Sequence, residues 1–372
     1  MADAITFART DEQNMLASTV REFLGATVDH DAVRTMSTTD DAFDAASWNG
    51  LAEMGLVGLH VPDQYGGAGF TTTEVGIVFE ELGHTLTAVP LLSSVMASTA
   101  ILAGGTDDQK TRFLPSIASG ERTATIAVHE ESHDNDPTAG TTSLSQRDAS
   151  FVLSGTKRYV TDGPGASLFV VSASTPDGVA LAIVDATAEG VSVVPVHALD
   201  PTRPLAEVHF DGVAVDPADV MPGAESAIAA AIDMGVVCVA NEQVGGAQWC
   251  LETSVEYAKT RFQFGRAIGS FQAIKHRCAD MLVAVEHARS AARHAAATLG
   301  DPAESSIAVP LARSVCSDAF VTAAGDTIQI LGGIGFTWEH EAHLYFKRAK
   351  STSILLGSVD TYRDRLADAV GI

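Results

Sequence analysis

Positive charge is the scarcest property of this chain. Lysine and arginine number 23 against 47 aspartates and glutamates, a formal net charge of −24 over 372 residues. A surface this acidic repels phosphate backbones and anionic lipid, so nucleic-acid and membrane-surface binding are excluded as its main task. A small anionic ligand stays open, because it needs only a local basic patch. Aromatic residues make up only 6%. The four cysteines, Cys238, Cys250, Cys278 and Cys316, show no CxxC spacing. Reduced core thiols are therefore expected, with neither a disulfide nor a zinc site. No uninterrupted apolar run reaches the ~20 residues a membrane helix needs. The first residues lack the charged-then-apolar layout of a secretory leader, so a cytoplasmic protein is expected.

What is abundant is alanine, glycine and valine, within an apolar share of 46%. That composition suits a large helical protein, and the length suits two or three packed units. Residues 1–122 read as helices. "DEQNMLASTVREFL" places Met15, Val20, Phe23 and Leu24 on one face, and "SWNGLAEMGLVGL" forms a helix with Ser47 as its N-cap. Over residues 123–222 the period changes to short β-branched runs, such as "SLFVVSA" and "GVALAIVD", punctuated by Gly, Pro and Asp. The pattern over 223–372 is helical again. The order all-α, all-β, all-α argues for segregated domains rather than an alternating sheet. "HDNDPTAGTTS" at 133–143 reads as a polar loop.

Two stretches carry chemistry. In "YAKTRFQFGRAIGSFQAIKHRCADM" (257–281), five cations stand out in an acidic chain: Lys259, Arg261, Arg266, Lys275 and Arg277. An arginine beside a helix N-terminus suits a pyrophosphate, through paired hydrogen bonds and the helix dipole. In "DTIQILGGIGFTWEHEAHLYFKRAK" (326–350), the glycine pair allows close backbone approach. No strand leads into it, so it is not a dinucleotide fingerprint. His340 and His343 are three apart rather than four, and with Glu339 and Glu341 they read as structural or solvent-facing rather than metal-binding.

Together these stretches resemble the acyl-CoA dehydrogenase family. "LAEMGLVGLHVPDQYGGAG", "FEELGHTL", "GTDDQKTRFLPSIASGE" and "LSGTKRYVTDG" stand in the same order and spacing, so the resemblance covers nearly the whole chain. It implies an α+β multidomain fold: an N-terminal α-helical domain, a central β-barrel and a C-terminal four-helix domain. It also implies FAD bound across a subunit interface. Tyr159 and Thr161 match residues flanking the flavin ring, in company with Val128 and His129. Arg261, Phe264, Gln272, Gln329, Gly332 and Gly333 match residues that reach the diphosphate and adenosine side of a neighbour's FAD.

The resemblance breaks at the base. In the family a carboxylate removes the α-proton of an acyl-CoA thioester while the β-hydrogen leaves as hydride. The usual Glu stands 24 residues after the first Gly of the "GGxG" motif, which here is Leu356, followed by Gly357. Some members carry it 30 residues before the Gly of "FG", which here is Gly235. The family's "TEPxxGSD" segment reads "HEESHDND", with His129 where a Thr faces the flavin. Glu242 is the one substitute in view. It lies seven residues after Gly235, two helical turns along much the same face, as a lone acid in an apolar run. The backbone N–H at Leu356 remains able to donate to a thioester oxygen.

Three readings follow. The first is an acyl-CoA dehydrogenase component, either a homo-oligomer with an unrecognised base or the base-lacking subunit of a heterotetramer with a Glu-bearing homologue. The steroid-degrading α2β2 enzymes of actinobacteria, which the chain resembles, are of the second kind. Electron-transfer flavoprotein is the acceptor such enzymes imply. The second is a flavin-dependent monooxygenase on the same fold, and the third a non-catalytic structural subunit.

Overall fold

The structure, a computed structural model, describes residues 8–28, 33, 42–131 and 136–372. Among these, five helices precede the strands: α1 (Asp11–Thr27), α2 (Ala45–Glu53), α3 (Thr72–Thr85), α4 (Leu91–Gly104) and α5 (Asp107–Ala118). The middle of the chain supplies β1 (Ala124–Ala127), β2 (Ser143–Arg147), β3 (Ser150–Thr161), β4 (Leu168–Thr175), β5 (Gly178–Asp185), β6 (Val191–Val196), β7 (Leu205–Val215) and β8 (Val220–Pro222). After them come α6 (Glu225–Thr260), the two-residue strands β9 (Phe262–Gln263) and β10 (Arg266–Ala267), α7 (Gln272–Thr298), α8 (Pro302–Leu331), α9 (Ala342–Thr352) and α10 (Val359–Val370). This is the helical, β and helical order expected.

The described residues fall into two compact units. One draws on segments 1–37, 72–87 and 236–372, the other on 38–71 and 88–235. In the first, α1 and α3 join the C-terminal helices. Its core is built from the apolar faces of α6, α7, α8 and α9, including Cys250, Val285, Phe320, Ala324 and Leu344. The backbones of α3 and α6 touch. A Cβ at Gly83 would lie 2.0 Å from the Glu242 carbonyl oxygen, and one at Gly245 1.9 Å from that of Glu80. Only glycine permits this crossing. The apolar character of α6 and α8 has the same origin. By length and composition both would pass for membrane spans, but 78% and 67% of their most apolar windows are buried inside the protein.

The second unit holds the sheet, in the order β6-β7-β3-β2-β4-β5-β8, with β1 pairing parallel to β4. Its core is aliphatic, with Phe169 and Phe210 meeting edge to face. Strands β2 and β8 escape sequence reading for a physical reason. In "SLSQR" only Leu144 is buried, and β8 is three residues long.

Two local expectations are corrected. Met15 is 65% exposed, because the buried stripe of α1 runs through Ala17, Val20 and Leu24. The N-cap of α2 is Asp44, whose carboxylate accepts from the amides of Ala46 and Ser47. Ser47 lies one turn inside and donates its hydroxyl to the same carboxylate at 2.6 Å. Asp44 stands immediately before the first helical residue, the position from which a side-chain oxygen reaches the orphan amides.

Candidate functional site

The basic stretch forms an exposed corner of the first unit. β9 and β10 pair as a minimal hairpin, Gln263 opposite Arg266. Its turn residues Phe264 and Gly265 both have positive φ, 54° and 76°, as a two-residue primed turn requires. The turn leaves Phe264 91% exposed. The N-terminus of α7 follows, capped at Phe271 without any side-chain hydrogen bond. The amides of Gln272 and Ala273 in its first turn have no acceptor among the described residues, while that of Ile274 donates to the Phe271 carbonyl at 3.2 Å. Arg261, Arg266 and Lys275 form no salt bridge among the described residues, although the Arg266 guanidinium stacks 4.1 Å from the Phe271 ring centroid. Arg277 is different, being paired with Asp326. At the end of α8, Gln329, Gly332 and Gly333 are exposed, and Cβ atoms at the two glycines would meet nothing within 4 Å. Gly332 also has φ +65°. Unpaired cations, an uncapped helix start and open backbone are the donor set an anionic diphosphate needs, so these residues fit the FAD that the resemblance implies.

The remaining flavin-contact candidates lie together in the second unit. The Arg158 amide donates to the His129 carbonyl at 2.9 Å, and the Thr125 hydroxyl to the Thr161 carbonyl at 2.7 Å. These bonds set the end of β1 and the residues after it, Val128 and His129, against Tyr159 and Thr161 on β3. Tyr159 has φ +53° and is 57% exposed, a strained conformation that presents its ring outward. Burial, and then the charge of Lys157, push the His129 imidazole below its usual range, so it is neutral at pH 7. Beside it, Lys157 is held by Glu130 at 2.7 Å and the Ser172 hydroxyl at 3.0 Å. Burial alone would raise the Glu130 carboxyl. Hydrogen bonds from Lys157, Thr142 and Thr141, with the Lys157 charge, outweigh it and hold the group down at about 2. Part of "HEESHDND", residues 132–135, lies outside the described residues.

The base positions hold no free carboxylate. Gly235 is buried in α6. Leu356 is half-buried, in a turn where it has φ 62° and Gly357 φ 107°. Arg313 holds that turn from behind. Its guanidinium donates to the carbonyls of Thr352 at 2.5 Å, Leu355 at 2.6 Å and Gly357 at 2.9 Å. The Tyr362 hydroxyl donates to the Leu356 carbonyl at 2.8 Å. Arg313 is fully buried, and burial lowers it to about 10, which leaves it charged at neutral pH. Glu242 is sealed in the helical core, with the Arg348 guanidinium at 2.7 Å and both side chains at most 3% exposed.

Arg313, Tyr362 and Arg348 carry the local structure, and the motifs did not single them out. A signal for Arg313 was present: it is a lone cation in the apolar run "IAVPLARSVCSDAF", the same pattern that marks Glu242. Arg348, inside "FKRAKS", looks like any solvated basic face.

Family profiles for the N-terminal, middle and C-terminal domains of acyl-CoA dehydrogenases match residues 10–121, 125–213 and 223–371. The chain belongs to the acyl-CoA dehydrogenase family. It is 34% identical to the acyl-CoA dehydrogenase IpdE2 of Mycobacterium tuberculosis, across 97% of this chain and 98% of that one. Against FadE34 of the same organism identity is 36%, over 94% of this chain and 46% of that longer protein. Among solved structures, it resembles the ChsE4-ChsE5 complex from Mycobacterium tuberculosis (TM-score 0.90, 28% identity, 99% of each chain). It also resembles a variant of the Tcur3481-Tcur3483 steroid acyl-CoA dehydrogenase (TM-score 0.88, 30% identity, 97% of this chain and 98% of that one). Members of the family are FAD-dependent flavoproteins, and oxidoreductase action on acyl-CoA is its chemistry.

Proposed function

We propose that this chain is the carboxylate-lacking component of an acyl-CoA dehydrogenase. It acts with a homologous chain that carries the glutamate, and together they form the Cα=Cβ double bond of an acyl thioester. The observation that carries this reading is the occupant of the base position. Leu356 cannot take a proton, Gly235 offers no side chain, and Glu242 is locked to Arg348. A carboxylate already paired with a buried guanidinium is a weak proton acceptor. The α-proton is therefore taken by the homologue's carboxylate, and the β-hydrogen leaves as hydride.

Bound FAD would supply the acceptor for that hydride. In this chain Tyr159 and Thr161 would flank the ring, while Arg261, Gln272, Gln329 and the backbone at Gly332 and Gly333 would hold the diphosphate and adenosine side, completing the homologue's site. The amide of Leu356 has no acceptor among the described residues and is a donor available at this turn for a thioester oxygen. Steroid side-chain thioesters are the substrate class that the steroid dehydrogenase among its structural neighbours supports. Electron-transfer flavoprotein is the acceptor this reading implies.

The test is anaerobic flavin bleaching by a panel of acyl-CoAs, steroid side-chain thioesters included. The FAD-reconstituted chain should not bleach alone, and should gain activity when co-expressed with a Glu-bearing homologue. Bleaching by the chain alone would sink the proposal and point to a homo-oligomer with its own base. Activity of the co-expressed pair that survives Arg261→Gln with unchanged flavin content would remove this chain from the homologue's FAD site.

A further inference from the structure

The turn between α9 and α10 is gripped from inside the core by a cation without a counter-ion. Arg313 on α8 is fully buried, and among the described residues no carboxylate pairs with it. Its guanidinium donates to the Ser317 hydroxyl at 3.3 Å and to the carbonyls of Thr352 at 2.5 Å, Leu355 at 2.6 Å and Gly357 at 2.9 Å. Both terminal nitrogens are thereby engaged, which fixes the guanidinium plane. Gln243 on α6 completes the frame, donating to the hydroxyls of Ser317 and Thr352 at 3.1 Å each. Burial lowers Arg313 to about 10, so the group stays charged at neutral pH.

The bond to Leu355 reaches further than the others. The Leu355 carbonyl and the Leu356 N–H belong to one peptide. In a planar trans peptide the two point in opposite directions. A carbonyl held from the core therefore aims the Leu356 N–H away from Arg313. The adjacent amides are engaged within the turn: that of Leu355 donates to the Ser351 carbonyl at 3.1 Å, and that of Gly357 to the Ile354 carbonyl at 3.2 Å. That of Leu356 has no acceptor among the described residues. Leu356 also has φ 62°, a conformation that leucine keeps only where its surroundings impose it. The charge-assisted bond at the carbonyl oxygen polarises the whole peptide and makes its N–H the stronger donor.

We propose that Arg313 is a positioning residue for the dehydrogenation. It aims and polarises the Leu356 amide toward the oxygen of an acyl thioester, where negative charge gathers as the α-proton leaves. The guanidinium itself touches no substrate and acts through the 355–356 peptide. This role rests on the reading that a thioester oxygen meets the Leu356 amide.

The experiment is difference infrared spectroscopy of the FAD-reconstituted full chain with octanoyl-CoA and with a steroid side-chain CoA thioester, each carrying carbon-13 at the thioester carbonyl. In the parent the labelled carbonyl band should move to lower wavenumber on binding. Arg313→Met should lose most of that shift with flavin content unchanged. Arg313→Lys keeps the charge without the planar fork of donors, and should retain part of it. Leu24→Ala, a core truncation on α1, should lower the unfolding midpoint and keep the parent's shift. An undiminished shift in Arg313→Met, or an equal loss in Leu24→Ala, would overturn the positioning role and leave the thioester at Leu356. A parent that binds neither thioester, or binds one without a shift, would remove the underlying reading as well. Where Arg313→Met fails to fold or to bind, Arg313→Lys decides: a smaller shift than the parent's supports the role, and an equal one overturns it.

Discussion

Arg348 donates to Glu242 across 2.7 Å inside the helical core, and almost no water reaches either group. The relationship separates two roles for Glu242 that sequence alone leaves open. Removing one partner of a buried pair strands the other charge, at a cost of about 3–5 kcal/mol. Glu242→Gln should therefore lower the unfolding midpoint strongly. A double replacement by apolar residues, Glu242→Leu with Arg348→Met, should recover much of the loss. A normal midpoint in Glu242→Gln, with flavin bleaching abolished, would instead make Glu242 the base.

Leu356→Glu is a gain-of-function test. It places a carboxylate where the family has one, in a turn whose carbonyls Arg313 and Tyr362 already hold. The nearby buried cation favours the ionised form. Acyl-CoA bleaching by the chain alone should rise by roughly 10²–10⁴-fold over the parent, the usual worth of a positioned base. Stopped-flow absorbance reads this directly, and no gain with intact flavin binding counts against the alignment of position 356.

The Glu130–Lys157 pair should set an acid limb of stability. The Glu130 carboxyl is held at about 2, below its ordinary 4.5. Its contribution is therefore complete above about pH 4.5 and lost as pH falls toward 2. Between pH 5 and 3 the parent should lose more of its unfolding free energy than the double variant Glu130→Gln, Lys157→Met. Parallel curves would show that the pair does not govern this limb.

Gly245→Ala tests the crossing of α3 and α6. The added methyl would sit 1.9 Å from the Glu80 carbonyl oxygen, a backbone atom that moves only if the helices part. Soluble yield and unfolding midpoint should fall sharply, by more than the ~1–3 kcal/mol usual for overpacking. An exposed glycine with open space, Gly25→Ala, should be neutral or stabilising.

The periodicity of the sequence revealed the order of helices and strands because each element buries one regular face. It revealed less where burial is sparse. β2 buries one leucine, and the hydrophobic stripe of α1 bypasses Met15. The candidate flavin-contact residues stand out in the sequence because glycines and cations at fixed spacing leave a local mark. The Arg313 turn was not, since its bonds join residues 39 to 44 positions apart. Nor was the grouping of α1 and α3 with helices beyond residue 236, which no local pattern encodes.

The exposed rings of the first unit bear on handling the protein. Phe264 is 91% exposed, Phe336 72% and Trp338 57%, in a chain with few aromatics to spend on its surface. Strong mutual repulsion from a charge of −24 opposes self-adhesion at low ionic strength. Salt screens that repulsion but leaves the rings in water. Expressed by itself, the chain should stay clear in dilute buffer, turn cloudy as salt is added, and light up a hydrophobic dye that a bound companion would quench.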